Sequence, residues 1–478
     1  MQFPSEEEFI KQAKNNPIAL YQNISTIVLE LNNSIQELKD IVKVQQEKVK
    51  NLENRLNQNS KNSNKPPSSD LYKKENSTRK TSRRKSGGQE GHQGHHLKMV
   101  EEPTNTHFYP APDHCSKCGK DLIGSKVKIK RTQEFELPKI SIEVNEHQIE
   151  QKICSCGHCN TSNLAPSPSN HVYYGSKFKA LVVYLKNVHM MPFQRTKQLI
   201  LDLLNHSISE GTFWNVEIDF SNKVEPIVKE IKEKIIQSSS AGFDETGIRA
   251  ENNNHWVHVA TTNHYSYFYF HKKRSKEAMD LAGILPYFQG VAIHDFYKTY
   301  LKYNCGHAFC NAHILRELIA ISEISKNTWV QMMLALLIIG LDAKIESESN
   351  GLTEDQIVEI NQLFDKAIEK GIIENHSLIQ INKKGSKELN LLNRLTKYKP
   401  DILRFLTSPE IPFDNNRSER AIRMIKVKAK VSGGFRSFSG GQFFCLARSF
   451  LETMKKQKIP IFQSIVSVFK GQPLILRV

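Results

Sequence analysis

Two tight groups of cysteines are the first residues whose spacing suggests chemistry. Cys115-Ser-Lys-Cys118 is followed by Cys154-Ser-Cys156-Gly-His-Cys159, and paired CxxC turns in one short stretch match the tetrahedral thiolate geometry of structural zinc. Cys115, Cys118, Cys156 and Cys159 make two symmetric turns and are the preferred ligands. Cys154 is a spare that leaves other pairings of the second turn open, and free buried or redox thiols are the competing account. The next group is acidic. Asp244 lies in AGFDETG, Asp295 ends the apolar run GVAIH, and Glu419 lies in IPFDNNRSERAIR, where Asp414-Asn415-Asn416 supplies a helix start. Three carboxylates from two strands and a helix can hold two divalent cations, and hard oxygen donors suit Mg2+. Spacing alone makes this a weak signal, because 50 acidic residues supply many such triples.

Two further groups admit plainer accounts. Cys305, His307, Cys310 and His313 stand at intervals that can bind a second zinc, but a packed turn leading into a helix over 312–321 is the preferred reading. Arg417, Arg420, Arg423, Lys426, Lys428 and Lys430 recur along one predicted helix that runs into Ser432-Gly433-Gly434-Phe435-Arg436. Basic side chains beside a glycine-rich backbone can meet phosphates closely, while a solvated helix face is the alternative.

The elements that must carry these groups are legible from composition and period. The 478 residues hold 66 Lys and Arg against 50 Asp and Glu, a net charge of +16 that points to a polyanionic partner. Ten of the basic residues, among them Arg83, Arg84 and Lys85, fall within residues 61–100, in a Ser-, Asn-, Pro- and Gly-rich linker. Before it, Val28, Ile35, Val42, Val49 and Leu56 occupy heptad position a, and Ile24, Leu31, Leu38 and Leu52 occupy d, with Gln45 at the remaining d. β-Branched residues at a with Leu at d favour a parallel two-stranded coiled coil, so self-association is expected. The alternative is one amphipathic helix folded onto the body.

A β-like stretch through Val127, Ile129, Phe135, Ile140, Ile142 and Val144 separates the cysteine groups. Helical spacing runs from Tyr174 to about Gln237, with a helix-turn-helix-like rhythm from Phe178 to Ile218, and strands are predicted at 241–248, 255–261, 265–271 and 290–294. Residues 307–406 and 414–478 return to helical period. The apolar run Met332–Leu341 is about half the length of a bilayer span and reads as a buried helix. No membrane partner is expected, and the N-terminus lacks a secretory pattern, so the cytoplasm is the expected compartment.

Taken together, these words resemble the DDE transposases of the insertion sequence sixty-six family. The resemblance rests on the zipper start, KPPSSD and GGQEGHQGH, the cysteine module, YGSKFKALVVYL, AGFDETGIRA, GVAIHDFYKTY, CNAHILREL, IPFDNNRSERAIR and SGGFRS. It implies a ribonuclease H-like core in which Asp244, Asp295 and Glu419 match the catalytic triad, a two-ion Mg2+ or Mn2+ site, and a helical insertion filling the long stretch between Asp295 and Glu419. It further implies binding to the element's terminal inverted repeats and to target DNA, Mg-dependent cleavage and strand transfer, at least a dimer, possible small accessory proteins, and a bacterial, nucleoid-associated location.

The expected fold is a multidomain α+β chain. Its parts are a coiled-coil helix (1–58), a basic flexible linker (59–107), a zinc module (108–165), a helical DNA-binding segment (166–237), the first part of the α/β core (238–300), a helical insertion (301–410), and the remaining core with basic C-terminal helices (411–478). Arg83, Arg84, Lys85, Arg420, Arg423, Lys426, Lys428 and Arg436 are the expected DNA contacts.

Overall fold

A computed structural model describes residues 6–56, 97–161, 172–325, 327–347, 351–376, 379, 386–472 and 476. The chain divides into two compact units. One, here the core unit, comprises 75–292, 297–306 and 416–478. The other, the helical unit, comprises 1–74, 293–296 and 307–415.

Helices α1 (Glu6–Asn15) and α2 (Pro17–Leu56) open the chain. Pro17 begins α2, where its missing N–H is no loss. The heptad residues Val28, Leu31, Ile35, Leu38 and Val42 are all exposed along it. The cysteine segment contributes a two-stranded hairpin, β1 (Gln151–Ile153) and β2 (Cys159–Thr161). The β-like stretch expected over 127–144 forms no strand. Its alternating apolar residues Val127, Ile129, Phe135, Ile140 and Val144 are exposed, and a strand needs a partner ladder as well as a period.

The core unit continues with α3 (Ser176–Val183), one π-helical turn (Tyr184–Val188), α4 (Phe193–Leu204) and α5 (Glu210–Ile236). Asn205 ends α4 in the left-handed conformation, and the Ser209 hydroxyl caps α5 by accepting from Thr212 N–H at 3.1 Å. Strands β3 (Ser240–Ala250), β4 (Asn253–Thr261) and β5 (Ser266–His271) then form an antiparallel meander. The short helix α6 (Lys276–Ala282) leads to β6 (Val291–His294) and β7 (Gly306–Phe309). Among the described residues the sheet order is β5-β4-β3-β6-β7. Val291 N–H joins β6 to Ser239 O of the segment entering β3, at 2.8 Å. Gly290 permits that approach, since a Cβ there would lie 2.5 Å from Ser238 O. Gly306 donates to Gly290 O and Cys310 to His294 O, a constant offset that makes β7 parallel to β6. This strand was expected to be a packed turn; helix α7 (Asn311–Ser322) follows it directly.

Strand alternation divides the core in two. Phe243 and Ala260 face a cluster with Phe220, Ile231 and Phe450, while Ile248, Val257, Val259, Phe268 and Phe270 face Ala421, Ile422 and Ile425. The latter three lie on α12 (Asn416–Ser432), which is followed by α13 (Phe438–Lys456) and α14 (Ile461–Phe469).

The helical unit holds α7, α8 (Thr328–Glu346), α9 (Glu354–Glu374), α10 (Lys387–Lys397) and α11 (Lys399–Thr407). Helix α8 outruns the apolar stretch expected there. At 19 residues it is long and apolar enough to cross a bilayer, but Trp329, Met333, Leu336 and Leu337 pack it into the unit's core. Gly371 of α9 lets Trp329 and Leu392 approach, since a Cβ would meet Leu392 at 2.7 Å. Lys344 donates to the carbonyls of Phe405, Ser408 and Ile411 (2.6, 3.2 and 2.6 Å), closing the C-terminal end of α11.

The β5 edge is sealed by side chains. Phe268 N–H donates to Ser449 Oγ at 2.9 Å and Ser266 N–H to Thr453 Oγ1 at 3.1 Å, all four groups being buried. Removing either hydroxyl leaves a buried N–H without its acceptor. Ser449→Ala and Thr453→Val are each expected to lower unfolding stability by about 1–3 kcal/mol, read from urea denaturation; no change in either would refute the sealing role.

Candidate active site

Asp244, the fifth residue of β3, is half-buried and shares the sheet face of Ile248, Val257 and Val259. That face is the one covered by α12, whose first turn carries Glu419. Ser418 Oγ lies 3.1 Å from Thr261 Oγ1 at the end of β4, and both are fully buried, so the start of α12 is pinned to the sheet beside Glu419. A carboxylate in the first turn is also favoured by the unpaired N–H groups of the helix start. Asp244 and the helix turn that carries Glu419 therefore lie on the same face of the sheet within one unit. Asp244 Oδ1 accepts from the N–H of Glu245 at 2.8 Å.

Glu245 points the other way and was missed by sequence reasoning. Its buried carboxylate accepts from Arg274 Nε at 2.6 Å and from the Tyr300 hydroxyl. The Arg274 guanidinium lies 4.0 Å from the Tyr297 ring centroid and 5.3 Å from that of Trp256. This network ties β3 to the segment 297–303. Two adjacent acids on a strand must face opposite sides, and that was the available signal.

Asp295 follows β6 and is half-buried, in the helical unit. Its neighbours are fixed on both sides. His294 is fully buried, with Nε2 3.0 Å from His307 Nδ1 and Nδ1 bonded to the carbonyl of Asp295. Burial pushes the His294 imidazole down to about 3, so it is neutral. Phe296 stacks on Phe309 at 3.9 Å.

Within the helical unit, Cys310 and Asn311 are held by hydrogen bonds. Cys310 Sγ accepts from Asn415 N–H at 3.2 Å, Asn311 N–H donates to Phe413 O at 3.0 Å, and Asn311 Nδ2 donates to Ile402 O at 3.1 Å. These bonds brace the segment that runs into α12.

Of the basic residues, Arg420, Arg423, Lys426 and Lys430 line the exposed face of α12, and Arg436 is exposed beyond it. Lys428, expected with them, is instead buried. It falls on the stripe of Ala421 and Ile425, donates to Ser432 Oγ at 3.2 Å, and has the Lys186 ammonium and the Glu217 carboxylate as its charged neighbours. Arg83, Arg84 and Lys85 lie outside the described residues.

The cysteine segment forms two glycine-containing turns, the second one residue shorter than the first. Cys115 N–H bonds Lys120 O and Gly119 N–H bonds Cys115 O; Cys154 N–H bonds His158 O and Gly157 N–H bonds Cys154 O. Gly119 and Gly157 both have positive φ, +71° and +84°. The second turn thus starts at Cys154 and contains Cys156, while Cys159 sits in β2 opposite Ile153. Backbone N–H groups hold the Cys115 and Cys154 thiols below their ordinary value, chiefly those of Lys117 and Cys156 respectively. Among the described residues the four turn sulfurs do not all lie within 4.8 Å of one another.

Comparison with known families decides what these elements belong to. The model of the family described as Transposase IS66 family matches residues 171–443, more than half of the chain and a span that holds Asp244, Asp295 and Glu419. The chain belongs to this transposase family. Residues 20–98 match a second family, DUF6444, whose function is unknown. No curated protein matches the chain. Membership carries the coarse function, DNA transposition, and a mixed α+β architecture.

The buried Lys428 of this transposase gives a test of the packing around α12. Burial lowers its ammonium to about 8, with the Lys186 charge acting in the same sense and Glu217 opposing. The unfolded chain keeps its proton up to about 10.4, so the native state binds fewer protons between those values and stability rises with pH across that window. Lys428→Met is expected to abolish this rise, about 3 kcal/mol at most, in chemical denaturation at pH 8 and pH 10. An unchanged pH dependence would place the ammonium in water.

Proposed function

We propose that this transposase-family chain cuts DNA at the ends of a mobile element and joins the freed 3′ end to a target. The single observation that carries the reading is that the helix turn bearing Glu419 is pinned by the Thr261–Ser418 contact to the sheet face that carries Asp244. Asp295 is the third carboxylate, held between a buried histidine and a stacked phenylalanine. Hard, half-exposed oxygen donors fit Mg2+ or Mn2+. A pair of such ions, when bound, would supply Lewis-acid activation of the attacking oxygen and stabilisation of the leaving one.

The protein's own part is positional. The sheet and the first turn of α12 hold the carboxylates, and Arg420, Arg423, Lys426 and Arg436 are offered to the phosphate backbone. Hydrolysis at the element end breaks a P–O3′ bond and leaves a 3′-hydroxyl. That hydroxyl then attacks a target phosphodiester and displaces a second 3′ oxygen, with no covalent protein–DNA linkage. The α4–α5 segment and the cysteine module are assigned to the terminal inverted repeats.

The exposed heptad face of α2 supports a parallel two-stranded coiled coil that brings two ends together. The chain works in the bacterial cytoplasm at the nucleoid, with or without small accessory proteins. A cysteine directly before a positive-φ glycine in each turn supports Cys115, Cys118, Cys154 and Cys156 as the structural zinc ligands, with Cys159 the spare.

Asp244→Asn, Asp295→Asn and Glu419→Gln are each expected to abolish cleavage of an element-end duplex while leaving its binding in a gel-shift assay within about twofold, because each removes a charge with little change of shape. Loss of binding in all three would make them structural. For the cysteines, Cys115→Ser and Cys154→Ser are expected to lower zinc content by elemental analysis, and Cys159→Ser to leave it unchanged. Loss in Cys159→Ser with retention in Cys154→Ser would reverse the assignment of the second pair.

A further inference from the structure

Asp295 stands at the end of a four-residue strand, yet the residue after it is the most tightly stacked aromatic in the helical unit. Phe296 lies 3.9 Å from Phe309 with the rings 6° from parallel, and Tyr398 packs against both, 6.2 Å from Phe296 and 5.3 Å from Phe309. The guanidinium of Arg394, on α10, sits 4.7 Å from the Phe296 ring centroid. Arg394 is itself aimed by Glu317 of α7, which accepts from both terminal nitrogens, NH1 at 3.2 Å and NH2 more closely. Such a bidentate pair fixes the plane of the guanidinium, and a planar cation against a ring is the arrangement in which Arg and Lys are not interchangeable. Two helices of the insertion thereby act on the backbone next to Asp295.

We infer that Arg394 is a positioning residue for Asp295: the Glu317–Arg394–Phe296 stack sets the direction of the Asp295 carboxylate, and through it the affinity for a divalent cation. This rests on the reading of Asp295 as a metal-holding residue. It also gives the long insertion a task in the reaction, beyond occupying the chain between Asp295 and Glu419.

The test is Mn2+ binding to the full chain, by calorimetry or by the signal of free Mn2+ in electron paramagnetic resonance, with Asp295→Asn, Arg394→Ala, Arg394→Lys, Phe296→Leu and Asp365→Asn. Outer residues that orient ligands change metal affinity by about 10–100-fold. Asp295→Asn is expected to remove a binding event, and Arg394→Ala and Phe296→Leu to weaken the same event about tenfold. Arg394→Lys is expected to weaken it less, since the charge stays and the planar stack goes. Asp365→Asn, which breaks the exposed Lys399–Asp365 pair elsewhere in the same unit, is expected to bind as the wild type. Wild-type affinity in Arg394→Ala and Phe296→Leu, while Asp295→Asn loses the event, would overturn the positioning role alone. Unchanged binding in Asp295→Asn would overturn both that role and the metal reading of Asp295. Arg394→Lys keeps a folded comparison if Arg394→Ala melts early, and equal weakening in Asp365→Asn would reduce the effect to general destabilisation and contradict the inference.

Discussion

Everything in the core unit follows from the two-residue period of β3. Because successive side chains leave a strand on opposite faces, Asp244 and Glu245 cannot share a task. Glu245 is drawn into the buried network with Arg274 and Tyr300 and ties the strand to the segment 297–303. Asp244 is turned onto the face that α12 covers, the helix whose first turn carries Glu419. A one-residue slip of β3 against β4 would exchange the two acids. The nine-residue register from Gly242–Thr261 to Ala250–Asn253 prevents it. The same register sets Thr261 level with Ser418, the contact that fixes where the helix begins.

The sheet also has to end safely. An open β-edge invites pairing with another chain, and both edges here are occupied by side chains. At β5 the acceptors are the hydroxyls of Ser449 and Thr453 on α13. On the β7 side, within the helical unit, Arg404 Nε donates to His307 O at 2.7 Å. Lengthening a connection costs little conformational entropy once the inserted residues fold by themselves. That is how a chain can place a helical body with its own core of Trp329, Phe364 and Leu391 between Asp295 and Glu419.

Much of this was legible in the sequence, for identifiable reasons. The strand carrying Asp244 and the strand leading to Asp295 were readable because AGFDETG and GVAIH alternate or stay apolar over a strand's length, and the start of α12 was readable from the Asp-Asn-Asn cluster. β7 was not, because Gly-His-Ala-Phe carries no β-branched residue and becomes a strand only through its parallel partner 16 residues earlier. The opposite error occurred at Val127 to Val144, where alternation was present and the described residues offer no partner strand. Lys428 was misread as surface because its charge was given more weight than its place three residues after Ile425. The choice within the second cysteine group was not legible, because CxxC symmetry favours Cys156 and Cys159, whereas the hydrogen bonds of a turn depend on where the glycine falls, and Gly157 follows Cys156.

The central claim is that the three carboxylates serve both cutting and joining, so the most direct measurement is of joining itself. An element-end duplex with a pre-cut 3′-hydroxyl is incubated with a supercoiled target, the full chain and Mg2+, and the covalent junction is detected by sequencing. The account predicts junctions that carry the element's 3′ end and disappear when Mg2+ is replaced by Ca2+ or omitted. Tight binding of both DNAs with the pre-cut end never joined, in the presence of Mg2+ or Mn2+ and with any accessory proteins of the element supplied, would contradict it.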